Sequence, residues 1–216
     1  MEKGLVVSLV GESGGGKSTL VNIIMGFYEP ESGKIIINDI IDSGEISIIN
    51  WRSSIGIIPQ EIHIFNGTIL QNLLTDFSED KIKELLSMIT EYGLGPFFDS
   101  FPGGLNTLVG EEGLNLSGGQ KQIIAFVRAI YKSPEFLLVD EGTSNMDTET
   151  EKIIINLIKR LKSKMGILMI SHKVNMIKKI SDRIYVLENG TITGSGLHEK
   201  LIVENNLYKR FWDNFY

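Results

Sequence analysis

Apolar residues fall in short, nearly continuous blocks: Leu5–Val10, Ile55–Ile58, Phe136–Val139, Ile167–Ile170 and Arg183–Leu187. Each is bounded by Gly, Pro or charged residues, the pattern of strands buried on both faces in a parallel sheet. Between them the apolar positions take helical spacing. Helices are expected from Thr19 to about Tyr28, for a turn or two in Ser47–Ser54, and over Thr68–Leu74, Glu79–Thr90 and Gly119–Tyr131. Another runs to about Lys162, opened by a Thr148-x-x-Glu151 capping box. The tail from Leu197 to Tyr216 reads as two short helices. Lys34–Asn38 reads as a short strand with a hairpin connection over Asp39–Gly44, and Thr191–Thr193 as an edge strand after an Asn189-Gly190 turn. Gly93–Pro96 and Pro102–Gly104 read as loops.

Strands alternating with helices define an α/β fold with a mostly parallel sheet and a small antiparallel β part. The stretch 65–132 is almost wholly helical in pattern. It is expected to be a helical subdomain inserted into a core built from 1–64 and 133–216. No internal repeat or heptad run interrupts this organisation.

Composition narrows the partners. With 216 residues, 42% hydrophobic and 22% charged, the chain has the make-up of a soluble globular domain. A net charge of −6 argues against nucleic-acid binding through a broad basic surface. No apolar run approaches the roughly 18–20 residues that span a bilayer. The start does not read as a signal peptide, and without cysteine there are no disulfides or thiolate metal sites.

The chemistry centres on Gly11-Glu12-Ser13-Gly14-Gly15-Gly16-Lys17-Ser18-Thr19, which follows one predicted strand and opens one predicted helix. That context turns G-x-x-x-x-G-K-[ST] into a phosphate-binding loop. Glycines allow successive N–H groups to face one concavity, and the helix N-terminus adds its dipole. Lys17 supplies charge for the β- and γ-phosphates, and Ser18 a hydroxyl for Mg²⁺. The chain is therefore expected to bind a nucleoside triphosphate.

Asp140 ends an apolar strand at the edge where open α/β sheets bind ligands, placing a carboxylate for Mg²⁺. Glu141 follows as a group able to polarise water. Gln60 and the pair Ser171-His172 also lie just past strand ends. His63 and His198 lack such placement and read as structural. Ser117-x-x-Gln120 is a capping box, yet Gly118-Gly119 at a helix start is costly unless something approaches the backbone closely. A second phosphate-facing helix terminus satisfies that demand.

Taken in order, these residues resemble the nucleotide-binding domain of ATP-binding cassette (ABC) transporters over nearly the whole chain. Gly11–Thr19 is similar to the Walker A loop, Gln60 to the Q-loop glutamine, and Leu116-Ser117-Gly118-Gly119-Gln120 to the signature. Phe136–Asp140 resembles the Walker B strand, Ser144-Asn145-Met146-Asp147 the D-loop, and His172 the switch histidine. Phe65-Asn66-Gly67-Thr68-Ile69 and Thr107–Gly113 resemble exporter segments, the latter a stretch that contacts intracellular loops of the transmembrane domain.

The resemblance implies a RecA-like core that binds ATP and Mg²⁺, with Ser18, Gln60 and Asp140 around the metal. Glu141, His172, Gln60 and Lys17 are the implied catalytic group. It further implies a head-to-tail dimer in which Ser117, Gly118, Gly119, Gln120 and Asp147 of one copy serve nucleotide held by Gly11, Ser13–Thr19 of the other. A transmembrane domain as partner, at the cytoplasmic face of the membrane, follows from the same likeness, with no nucleic acid. Peptide, lipid and drug export all fit. The alternative is a soluble ABC ATPase acting on DNA or ribosomes, which calls for a coiled-coil arm or basic patches that this chain does not display. A small-molecule kinase would have no use for Leu116–Gln120. Two features depart from the pattern. Residues 1–10 hold no aromatic to stack on adenine, which suits a chain that is part of a longer polypeptide. Gly142 and Asn145-Met146 replace the usual Ala and Ala-Leu.

Overall fold

The computed structural model describes residues 2–37, 41–42 (backbone only), 47–140, 146–204 and 206–214. Glu141, Gly142, Ser144, Asn145 and most of the Asp39–Gly44 connection lie outside the described residues.

The strands β1 (Val6–Gly11), β2 (Ile36–Ile37), β3 (Ile41–Asp42), β4 (Ile55–Ile58), β5 (Gly67–Thr68), β6 (Leu108–Val109), β7 (Phe136–Asp140), β8 (Gly166–Ile170), β9 (Arg183–Glu188) and β10 (Thr191–Gly196) form three sheets. The main sheet has six strands in the order β10-β9-β1-β8-β7-β4, all parallel except β10. The helices are α1 (Lys17–Ile24), α2 (Ile48–Ser53), α3 (Ile69–Leu73), α4 (Glu79–Glu91), α5 (Gly95–Asp99), α6 (Gly118–Tyr131), α7 (Thr148–Leu161), α8 (Val174–Ile180), α9 (His198–Leu201) and α10 (Leu207–Asp213).

Alternation along the central strands divides the core. Leu137, Val139, Ile167 and Met169 face α6 and α7, joined by Ile123, Phe126, Ile154 and Ile158. Leu138, Leu168 and Ile170 face the other way, onto Val21, Met25 and Trp51 of the α1–α2 side. Burial on both faces explains why these strands read as unbroken apolar runs. Each such side chain contributes about 1.5–3 kcal/mol when removed from water. A third cluster holds α8, α9 and α10 on Val10, Ile184 and Val186.

Several boundaries differ from the pattern-based expectation. Helix α1 begins at Lys17, because Gly16 takes a left-handed N-cap (φ 101), and stops before Tyr28. Gly26 (φ 66) ends it, with Gly26 N–H donating to Ile23 O and Phe27 N–H to Asn22 O, a Schellman closure. Within the expected hairpin connection, Ile41–Asp42 is instead the strand paired with Ile36–Ile37. Pro96 opens α5 rather than sitting in a loop. The cap of α7 is Asp147, not Thr148. Helix α8, absent from the pattern-based expectation, buries Val174, Ile177 and Ile180 at helical spacing. The pair β5–β6 breaks the all-helical reading of 65–132; strands this short carry no detectable alternation, and their partners are distant in sequence.

Candidate nucleotide site

Strand β1 delivers the glycine loop to the carboxyl edge of the sheet. Gly11 is required there: a Cβ would lie 2.6 Å from Leu187 O on the neighbouring strand. Gly14 (φ 78) and Gly16 (φ 101) take left-handed conformations, and Gly15 N–H closes the loop onto Glu12 O at 3.1 Å. The Asn189-Gly190 turn, with φ 49 and 76, is of the primed hairpin kind. Gly190 N–H donates to Gly15 O at 3.2 Å, so the β9–β10 hairpin braces the phosphate loop. Sequence spacing gave no hint of that brace.

Lys17 is buried, its Nζ donating to Gly11 O (2.9 Å) and Glu12 O (2.8 Å). Its ammonium is thus held inside the curve of the loop. Ser13, Gly14 and the helix start Gly16–Thr19 share one cleft with Gln60, just past β4, and Asp140, at the end of β7. The register aligns these ends: Ile58 pairs with Val139, and Asp140 with Ile170. His172 lies two residues beyond Ile170 at the same edge and is exposed. Ser171 is buried, its Oγ accepting from Lys173 N–H at 3.0 Å.

The donor set fits magnesium. Ser18, Gln60 and Asp140 offer a hydroxyl, an amide oxygen and a carboxylate, all hard oxygens. Among the described residues no cluster of three His, Cys, Asp or Glu competes as a metal cage. Few protein ligands completed by phosphate oxygens is the usual Mg²⁺ arrangement.

Residues 117–120 lie elsewhere and do not line the cleft. Ser117 caps α6, its Oγ accepting from Gln120 N–H (3.2 Å) while Gln120 Oε1 accepts from Ser117 N–H (2.9 Å). Ser117 and Gly118 are exposed; Gly119 is buried. Asp147 Oδ1 accepts from Glu149 and Thr150 N–H, and Oδ2 from the Thr150 hydroxyl. The bonds from Thr150 come first in holding its carboxyl below the ordinary carboxylate value. His198 is structural, buried and bonded to the Tyr208 hydroxyl (2.8 Å), while His63 is exposed and its backbone carbonyl accepts from Arg128 (2.7 Å).

The far end of α6 carries a residue that sequence reading passed over. The Arg128 guanidinium donates to Asn72 O and Oδ1 and to His63 O, while Asn72 brackets Phe65 through both Phe65 N–H and Phe65 O. Arg128 thereby ties the segment after Gln60 to the same helix that starts with Ser117–Gln120. The two exporter-like stretches also meet: Thr68 and Leu108 pair across β5–β6, and Asn66 Oδ1 accepts from Glu111 N–H at 2.7 Å.

A glycine loop feeding a helix at the carboxyl edge of a parallel sheet, with an acid from the strand two places along in the same cleft, defines a phosphate-loop nucleotide-binding protein. Comparison with known proteins takes the assignment further. The model of the family described as ABC transporter matches residues 1–144, and the chain belongs to that family. It is 40% identical over 212 residues to the heavy metal tolerance protein of Schizosaccharomyces pombe, covering 98% of this chain and 25% of that protein. It is 38% identical to a multidrug resistance ABC transporter ATP-binding and permease protein of Lactococcus lactis, covering 95% of this chain and 35% of that one. Among solved structures, a bacterial Atm1-family ABC exporter with ATP bound superposes with a TM-score of 0.86 at 34% identity, over 99% of this chain and 37% of that one. The chain thus spans about a quarter to a third of the length of the relatives it matches. Among the described residues no helix is long and apolar enough to cross a membrane.

Proposed function

We propose that the chain is the ATPase domain of an ABC exporter, in which ATP binding closes two copies head to tail and hydrolysis releases them. The observation that carries this reading is the separation of two phosphate-suited helix starts. One, at Gly16–Thr19, sits in the cleft with Gln60 and Asp140. The other, at Ser117–Gly118, is capped, exposed and outside it. A helix start facing solvent suits a nucleotide held by another copy.

In this reading Lys17 and the loop N–H groups grip the triphosphate, and Ser18, Gln60 and Asp140 would hold Mg²⁺, which would supply positive charge to offset that of the phosphates. Glu141 takes the proton from water as its oxygen attacks the γ-phosphorus, and the β–γ bridging oxygen leaves with its electron pair. His172 contacts the γ-phosphate, and Lys17 offsets charge developing on the leaving side. Ser117–Gln120 of the second copy covers the same phosphate, with Asp147 near the junction. Residues 65–132 act as the arm that presents this cover, against a core of 1–64 and 133–216. The surface built by Phe65–Ile69 and Thr107–Gly113 receives a transmembrane domain, putting the chain at the cytoplasmic face of a membrane. The relatives' names support export rather than action on nucleic acid.

The test is the Glu141→Gln variant with Mg-ATP, followed by size measurement. Blocking hydrolysis while sparing binding should trap a dimer that is absent without nucleotide. A monomer at millimolar ATP, with nucleotide affinity shown intact by direct titration, would overturn the assembly.

A further inference from the structure

The Asn189-Gly190 turn meets the glycine loop at a peptide that its own residues leave free to rotate. Gly11 O and Glu12 O are held by Lys17 Nζ, and Gly15 N–H by Glu12 O, all from within the loop. Gly15 O is held from outside it, by Gly190 N–H at 3.2 Å. The peptide joining Gly15 to Gly16 lies between two residues without a Cβ, so sterics do little to fix its plane. Being trans, it sends Gly15 O and Gly16 N–H in opposite directions. The surroundings agree. Gly15 lines a hollow behind the loop with Glu188, Asn189 and Arg210, whereas Gly16 lines the cleft shared with Gln60 and Asp140.

Glu188, the residue before that turn, is itself clamped. The β9–β10 register shifts between Ile192 and Gly194, leaving Thr193 as a bulge. Thr193 Oγ1 donates to Glu188 Oε1 at 2.8 Å, and Arg210 of α10 donates to Glu188 Oε2 at 3.1 Å. Helix α10 is fixed in turn by Leu207 and Tyr208, both buried in the third core cluster. We propose that Glu188 is a positioning residue. Gripped by Thr193 and Arg210, it holds the Asn189-Gly190 turn on Gly15 O and so aims Gly16 N–H at the phosphates. This rests on the reading that the glycine loop grips the triphosphate through Lys17 and its N–H groups.

The turn's own geometry, φ 49 at Asn189 and 76 at Gly190, fixes how it folds but not where it stands over the loop. The bulge beside it loosens the strand pair, and the two bonds to Glu188 make good that loss. One ties the hairpin across the bulge, and the other ties it to a separate helix. An exposed pair such as Arg210–Glu188 adds little to stability, so its use is geometric. With the clamp released, the Gly15–Gly16 peptide turns over in part of the population, and apparent affinity falls with the competent fraction. The loss of one charge-assisted bond, about 10- to 100-fold in affinity, sets the ceiling.

The experiment uses the 216-residue chain and titrates Mg-ATP and, separately, magnesium with inorganic triphosphate, which lacks base and ribose. Charge alone predicts that removing an acid beside an anion site tightens binding. Glu188→Ala should instead weaken both ligands by the same factor, about tenfold, while amide exchange at Gly190 quickens and the urea midpoint stays in place. Arg210→Ala should cost about two- to fivefold alone and nothing further on top of Glu188→Ala. Glu188→Gln keeps an acceptor for Thr193 and should match Arg210→Ala. Triphosphate affinity unchanged or tightened in Glu188→Ala, with Lys17→Ala still weakening it, would overturn the clamp. So would an Arg210→Ala cost that is equal with and without Glu188, which would mean its charge acts on the phosphates directly. Unchanged affinity in Lys17→Ala would overturn the reading of the loop instead.

Discussion

At the scale of single residues, the loop's chemistry depends on one buried cation. Lys17 is held by two backbone carbonyls inside the loop, so its charge is in place before any phosphate arrives and little side-chain entropy remains to be lost on binding. Charge-assisted bonds of this kind are worth about 1.5–3 kcal/mol each. Lys17→Ala should therefore weaken ATP binding by about 10- to 100-fold, read by titration calorimetry. An unchanged affinity would mean that loop N–H groups alone hold the triphosphate. The type of residue at this position was legible from spacing. Its anchoring to Gly11 and Glu12, and the need for Gly11 to clear Leu187 O, were not, because both depend on where the chain returns in space.

At the scale of elements, helix ends decide where functional groups stand. Ser117 and Asp147 cap α6 and α7, and Gly26 closes α1. Helix α6 ends on Ser133, which takes φ 50 with no glycine to relieve it. A left-handed non-glycine residue costs roughly 1–2 kcal/mol, part of which glycine gives back as unfolded-state entropy. Ser133→Gly should therefore raise unfolding stability by about 0.5–1 kcal/mol, measured by urea denaturation. A loss of stability would show that the Ser133 side chain matters to the turn. The capping box of α6 could be read directly from Ser117-x-x-Gln120, whereas α7 starts from an Asp147 side-chain cap in place of the expected Thr148-x-x-Glu151 box. Asp147 and Thr148 are both good caps, and the bonds that Asp147 Oδ1 accepts from Glu149 and Thr150 N–H mark Asp147 as the one used.

At the scale of the whole molecule, two features govern behaviour. The first is exposure of the α6 start. Ser117→Arg should leave ATP affinity unchanged yet abolish both Mg-ATP-dependent dimerisation and turnover, assayed by light scattering and phosphate release. Normal hydrolysis by this variant would remove the partner from the site. The second is the carboxyl-terminal layer, where His198 bonds Tyr208 and stacks edge-on to Trp212. Burial, then the Lys178 charge, lower the His198 pKa from its ordinary value of 6.5, with Glu199 opposing. The folded state therefore holds fewer protons at this site than the unfolded chain. Its contribution to stability is complete above about pH 6.5 and is lost as pH falls toward the lower folded value. The melting temperature should drop across that window, and His198→Gln should flatten the slope while lowering the curve as a whole. An equal slope in the variant would assign the pH response to other groups.

The positions of the main-sheet strands along the chain, the phosphate loop, the acid at the end of β7 and the cap of α6 were all decided locally. Each rests on a run of neighbouring residues whose burial pattern or backbone preference has one good solution. Folding decided the rest, because it concerns residues far apart in the chain. The Asn189-Gly190 turn reaches the loop at Gly15, Arg128 ties α6 to the segment after Gln60, and Thr150 fills the space that Gly119 leaves. Such contacts follow from sheet order and helix packing, quantities that no local spacing encodes.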